Sequence, residues 1–231
     1  MKIPILSYHS ISNENCPLSL NLTEFEKQLF FFKKNKFEAV HFDEIKNLSS
    51  KKFIITFDDG YKDLIINALP LLKKYNFKAT CFIVSDLIGK KNVWDELNSN
   101  IKDKELMNLS DIHFWLKNGM CIGSHSKNHK KLTLLNEKDK IDEIINSKDE
   151  LETLTGESVN SFCYPYGLYN ENIVNIVKEK YNSAFTTNRS RFDTNKHNKY
   201  KLPRIDMGKT ISNFKLYLKV FTPYEDIRQS K

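Results

Sequence analysis

Apolar and β-branched residues gather into short runs along nearly the whole chain, and between the runs apolar residues recur at helical spacing. The runs at 3–8 (IPILSY), 53–57 (FIITF), 79–84 (ATCFIV), 120–124 (MCIGS), 161–164 (SFCY), 183–187 (SAFTT) and 201–205 (KLPRI) predict strands. The first helix is expected to open on Thr23 and Glu26 as a capping box and to turn Phe25, Leu29 and Phe32 to one face; others are expected near 62–75, 110–118, 136–154 and 171–181. Strands alternating with helices make about seven βα units, the pattern of a parallel sheet with helical crossovers. An open, nucleotide-binding sheet would need a glycine-rich phosphate loop, and the chain has neither G-x-G-x-x-G nor a Walker motif. A closed α/β barrel is therefore expected, with its chemistry at the C-terminal ends of the strands.

Polar residues stand at those ends. The run FIITF is followed at once by Asp58, Asp59 and Gly60. A turn would explain one Asp before Gly, but two adjacent carboxylates repel each other and call for a cation or a shifted pKa. The fourth run leads into His125, with His129 four residues on, a spacing that would put both imidazoles on one face of a helical turn, within reach of one metal ion. One carboxylate and two imidazoles leave coordination positions for water and substrate, as a catalytic site requires. Asp59 can then bind the metal while Asp58 stays free. The first run ends at His9, the fifth at Tyr164, Pro165, Tyr166 and Gly167, and the last carries Arg204 and Asp206.

No Pro/Gly/Ser-rich linker divides the 231 residues, so one domain is expected over 1–231, with a core at about 3–206 and a C-terminal helical extension at 207–231. The formal charge of +7 comes almost entirely from lysine, dispersed on helix faces, which argues for solvated surface rather than a nucleic-acid site. The N-terminal apolar run is too short for a signal h-region or a membrane span, so a cytoplasmic protein without a membrane span is expected. Cys16, Cys81, Cys121 and Cys163 include no C-x-x-C pair and fit reduced, mostly buried thiols.

TFDDG (56–60) followed by HSKNH (125–129) resembles the first two signature motifs of the polysaccharide deacetylase family, metal-dependent carbohydrate esterases (carbohydrate esterase family 4) related to chitooligosaccharide deacetylase. The resemblance spans roughly residues 3 to 206. It implies a distorted (β/α)7 barrel and hydrolytic N-deacetylation of an N-acetylated saccharide. It also implies Asp58 as general base, Asp59, His125 and His129 as ligands of a divalent ion, and the backbone N–H of Tyr166 in CYPYG as an oxyanion donor. Zinc is the default ion for this donor set; cobalt, nickel and iron fit the same ligands.

The chain departs from the common pattern in three places. Cys163 stands where the third motif usually has Arg, the D-x-x-D-W motif is missing, and no late L-x-H supplies an acid histidine. ILSYHSI at the start with YPYG and LPRI at the end resemble the poly-N-acetylglucosamine deacetylases of biofilm systems, whose motifs are circularly permuted. That resemblance implies His9 as general acid and Arg204 as the partner of Asp58, with Asp206 orienting His9 or binding sugar hydroxyls. Among the other imidazoles, His197 is the reserve acid. Phe57, Tyr61, Tyr164, Tyr166 and Tyr169 are candidate stacking surfaces for a sugar ring. A non-carbohydrate amide hydrolase of the same superfamily, a non-catalytic carbohydrate-binding descendant and a basic nucleic-acid or membrane-surface module stay open as alternatives; the oligomeric state is open too.

Overall fold

The structure, a computed structural model, describes residues 2–45, 51–95, 101 and 103–227; Met1 and the last four residues of the expected extension lie outside the described residues. Seven strands form at the expected runs: β1 (Ile5–Tyr8), β2 (Lys52–Phe57), β3 (Thr80–Ile83), β4 (Cys121–Ser124), β5 (Ser161–Cys163), β6 (Ser183–Arg189) and β7 (Leu202–Asp206). Each pairs in parallel with its sequence neighbour, and β1 closes the ring by pairing with β2 on one side and β7 on the other. The result is a closed seven-stranded parallel barrel. It is distorted: β4 and β5 share a single register pair, Ser124 with Phe162, and the β6–β7 register breaks between Phe185 and Arg189. A two-residue strand, Glu38–Ala39, flanks β2 outside the ring; it is too short to give a period in the sequence.

Two-residue periodicity sorts the strands into two environments. On β2, Phe53, Ile55 and Phe57 face outward into the layer shared with the helices, while Ile54 joins Ile5, Phe82, Cys163, Phe185 and Leu202 in a separate cluster that plugs the barrel. Burying each large apolar side chain there contributes about 1.5–3 kcal/mol. Gly123 on β4 is part of that plug, because a Cβ there would lie 2.5 Å from the Phe82 ring.

The helices are α1 (Leu22–Lys34), α2 (Leu69–Tyr75), α3 (Leu109–Lys117), α4 (Glu137–Ile141), α5 (Ser147–Thr155), α6 (Glu171–Lys180), α7 (Asn213–Phe221) and α8 (Tyr224–Ile227). Phe25, Leu29 and Phe32 of α1 are buried as expected. The expected capping box is not formed: the cap is Asn21, whose side chain accepts from the Thr23 N–H at 2.8 Å, and Glu26 pairs with Lys74 instead. Asn caps as well as Ser or Thr, and its position starts the helix one residue before Thr23. The helix expected at 136–154 is α4 and α5 joined by a π-helical segment, Asp142–Asn146; another, Leu64–Ala68, leads into α2 just after the Asp58–Asp59 turn. No described helix is long and apolar enough to cross a membrane. All four cysteines are free thiols, three of them buried.

Candidate active site

The alternation that buries Ile54 carries Thr56 and then Asp58 to the inside of the barrel at its C-terminal end. Asp58 is held there by its N–H, which donates to the Tyr8 carbonyl at 2.9 Å. The chain then turns left-handed at Asp59 (φ 72°) and Gly60 (φ 76°), and this reversal aims the second carboxylate elsewhere. Asp tolerates that region better than most residues. Two adjacent acids thus acquire separate partners.

Asp58 meets Arg204, which reaches in from β7. Nη1 donates to Oδ1 and Nη2 to Oδ2, both at 2.7 Å, a bidentate fork. The other guanidinium protons go to the Thr186 carbonyl (2.9 Å), Thr56 Oγ1 (3.1 Å) and Cys163 Sγ (3.2 Å), so all five donors of a buried arginine are used. Burial alone would raise the Asp58 pKa, but Arg204 overrides it and holds the carboxyl well below the usual range. The small Cys163 leaves room for this arginine, and its thiol lies 3.7 Å from Asp58 Oδ1. His9, a third exposed, places Nε2 3.9 Å from Asp58 Oδ2.

Asp59 meets the two histidines. Its Oδ1 lies 3.4 Å from His125 Nε2 and 3.5 Å from His129 Nε2, and the three donor atoms fall within 4.8 Å of one another. His125 Nδ1 lies 2.8 Å from the Cys163 carbonyl, which can only accept; Nδ1 therefore carries a proton, and Nε2 is the atom left to ligate. Burial alone would lower the His125 pKa, but Cys163, Asp59 and Asp58 override it and push it up, so a bound ion would take the place of a proton on Nε2. The His129 pKa is lowered to about 3, chiefly by burial and then by the charge of His125. A neutral imidazole is the form that ligates. Asp58, His125 and Cys163 also come within ligating distance of one another, but both Asp58 oxygens are occupied by Arg204. Asp59, His125 and His129 are the donors that fit a divalent ion.

The histidine pair does not lie on a helical turn. Residues 125–131 form a loop after β4, with Ser126 (φ 65°) and His129 (φ 55°) in the left-handed region. The Ser126 hydroxyl accepts from the His129 N–H at 3.1 Å, and the Glu143 carboxylate accepts from the N–H groups of Lys127 and Asn128. Side chains thus shape the backbone where a helix would have used carbonyls. Among the described residues six non-glycine positions have positive φ, and four of them, Asp59, Ser126, His129 and Tyr166, belong to the motif loops, where strain is held by surrounding structure.

In the fifth loop Tyr166 is left-handed (φ 58°), and its N–H takes no part in the turn, whose bonds run from Gly167 to Tyr164 and from Leu168 to Pro165. Its ring, 42% exposed, packs 4.5 Å from His129. Gly167 is required twice over: φ is 69°, and an added Cβ would lie 1.9 Å from Thr187 Oγ1. Gly119 has a similar φ, 80°, and open space. Gly119→Ala is expected to cost about 1–2 kcal/mol and Gly167→Ala clearly more; equal losses of Tm would show that the contact with Thr187 is unimportant.

Several expected site residues lie elsewhere. Phe57, Tyr61 and Tyr164 are buried and offer no stacking face: Phe57 points outward from β2 into the helix layer, Tyr61 is covered in the turn that follows, and the Tyr164 hydroxyl donates to the Tyr200 carbonyl. Pro165 is buried in its turn and Tyr169 packs on Tyr164. Asp206 does not reach His9: its carboxylate accepts from the Gly208 N–H at 3.0 Å. His197 precedes β7, at the opposite end of the barrel, where it accepts from the Asp193 N–H and stacks on Phe192.

Two further site residues carry no motif in the sequence. Trp94 packs 4.5 Å from His129 on another side from Tyr166, and Asp95 beside it is close enough to raise the pKa of Tyr166, after burial, to about 12. Their segment is fixed to the Asp58–Tyr61 turn by the Met107 N–H donating to Gly60 O (2.8 Å) and by the Lys104–Asp63 ion pair (2.8 Å). The only signal is a Trp–Asp pair in a polar stretch after the third strand.

Comparison with known proteins gives a consistent result. Residues 45–182 match the family profile described as polysaccharide deacetylase. The chain is 31% identical to the YxkH protein of Bacillus subtilis (strain 168) over 194 residues, covering 80% of this chain and 64% of YxkH, less than two thirds of that protein. It is 29% identical over 210 residues to the poly-beta-1,6-N-acetyl-D-glucosamine N-deacetylase of Staphylococcus aureus (strain MRSA252), covering 86% of this chain and 71% of that one. Among solved structures, Streptococcus pyogenes deacetylase PplD in complex with acetate superposes with a TM-score of 0.77 at 25% identity, covering 100% of this chain and 99% of PplD.

Proposed function

The chain belongs to the polysaccharide deacetylase family, and from that premise we propose that it hydrolyses the acetamide of an N-acetylated saccharide, as one catalytic domain over 1–231, with a divalent metal ion. The observation that carries the proposal is the division of labour between the adjacent acids: Asp58 is kept ionised by a fully bonded Arg204 while Asp59 faces two histidines. A bound ion would be held by Asp59, His125 and His129, and would polarise the acetyl carbonyl and acidify a water. Zinc is the ion we propose for two imidazoles and one carboxylate.

The protein's own groups supply the rest. Asp58, an anion at neutral pH, takes the proton of the attacking water. The Tyr166 N–H, unused in its turn, is free to donate to the oxyanion as charge develops on the acetyl oxygen. His9, partly exposed beside Asp58, delivers a proton to the leaving amine, which departs as the free amino sugar while the acyl part leaves as acetate. Acetate bound to PplD supports that product. Trp94 and Tyr166 flank His129 and restrict water to the reacting face. Four free thiols support a reducing compartment, and a cytoplasmic location is part of the proposal.

Elemental analysis and acetate release test it. Purified protein is expected to hold about one equivalent of divalent metal, lost in both His125→Ala and Asp59→Asn, and to release acetate from N-acetylated oligosaccharides. Protein that stays metal-free after reconstitution, or metal retained in both variants, would sink the assignment. Fractionation of cells expressing the native gene tests the location.

A further inference from the structure

Beyond the catalytic centre the same rim carries a cavity of about 200 Å³ whose wall begins at Asp206, two residues past Arg204 and about 7 Å along β7. Arg189 from the end of β6, Lys209 from the segment after β7, and Lys215 from α7 line it. None of the three is paired with a carboxylate among the described residues, although all three line one cavity. The buried Lys219 ammonium enters the same cavity and donates to the Asp206 carbonyl (2.6 Å) and to Glu225 Oε1 (3.1 Å), two of its three protons. Four cations thus face two carboxylates, Asp206 and Glu225. Glu225 is 1% exposed, and its Oε2 has no hydrogen-bond partner among the described residues.

We propose that this cavity is an anion subsite that binds the phosphoryl group of a phosphorylated N-acetylated saccharide, with a hydroxyl of the same ligand donating to Glu225 Oε2. At about 30 Å³ per water the space holds a group of roughly six or seven heavy atoms, enough for a phosphoryl group and too small for a sugar ring with its substituents. Cations arriving from three elements suit the several oxygens of a tetrahedral phosphoryl group; a planar carboxylate would be met by one fork. Lys209 and Thr210 also line a second cavity of about 430 Å³, with Ser12, Asn13 and Asn15 on its far side. That trough begins three residues past His9, and its hydroxyls and amides suit the adjoining sugar. The ligand would therefore lie across the ends of β1 and β7, with His9 and Arg204 beneath it.

The inference rests on the proposed deacetylase reading, so the test separates the two. In catalysis, a phosphorylated N-acetylated oligosaccharide is compared with its neutral and uronate-bearing counterparts. The phosphorylated substrate should have the lowest KM, and Arg189→Ala/Lys215→Ala, which leaves the sugar trough intact, should raise that KM roughly tenfold while leaving kcat, and the neutral substrate, unchanged. In binding, Asp58→Asn protein is titrated with the phosphorylated and neutral oligosaccharides by calorimetry; preference for the former, weakened by the double substitution and by salt, is expected even if no substrate turns over. Inorganic phosphate should compete weakly. Equal binding of the phosphorylated and neutral ligands, or an equal gain from a carboxylate, would overturn the phosphoryl subsite, and absent turnover with the binding preference intact would count against the deacetylase reading alone.

Discussion

Asp58→Asn is expected to retain its metal and lower kcat by roughly 10²–10⁴. The amide is nearly isosteric, so the fork to Arg204 is broken on one side only, and Asp59, His125 and His129 are untouched. His9→Ala should lower kcat over the same range, also with metal content unchanged, because the acid and the base act on different protons of one reaction. The two variants differ in what they disturb: Asp58→Asn leaves a buried arginine short of its counter-charge, whereas the partly exposed His9 has no buried partner that depends on it. Loss of activity in both with loss of stability only in Asp58→Asn is the expected pair of results, read by acetate release and thermal unfolding. Full activity in either variant removes that residue from the mechanism.

Arg204→Met is expected to be the most destabilising of the changes considered. It leaves Asp58 buried without its cation, a loss of about 3–5 kcal/mol near neutral pH, or roughly 6–20 °C in Tm for a chain of this size. The pH dependence has a definite sign. In the native protein Arg204 depresses the Asp58 pKa below its unfolded value, so this pair stabilises above the unfolded carboxyl range and its contribution fades as pH falls through the folded pKa. With Arg204 gone, burial is unopposed and the folded pKa rises above the unfolded one. The variant then recovers relative to the native protein on acidification, and the acidic limb of its activity moves to higher pH. Asp58→Asn/Arg204→Met should regain much of the stability, because no charge is left buried. A gap between native and variant that widens on acidification would contradict this account of the pair.

Strand positions are readable because a parallel barrel needs apolar runs of four to six residues, and the same alternation that marks Ile54 and Thr56 as inward points Asp58 inward. The role left open by Cys163 is readable as a departure: an arginine missing at one strand end is found at another, Arg204. What cannot be read depends on loops. Nothing in HSKNH says that Ser126 and His129 are left-handed, since the cause is the Ser126 hydroxyl and a Glu143 carboxylate far along the chain. Trp94 and Asp95 come to the site through the Lys104–Asp63 pair and the Gly60 carbonyl, contacts without a local period. Tyr61 and Tyr164 mislead because an aromatic beside a motif looks the same whether it faces the substrate or a helix.

The closure of the barrel by its first and last strands also fixes when the site can exist. His9 follows β1 and Arg204 lies on β7, and the Arg204–Asp58 fork spans 146 residues of sequence. During synthesis at about 5–20 residues per second, Asp58 emerges many seconds before its arginine, and β1 has one free edge until β7 arrives to occupy it. Contacts so distant in sequence are among the slowest to form. On the ribosome the nascent chain therefore carries both acids and both histidines well before it can arrange them, and competence to react arrives only with the closing strand.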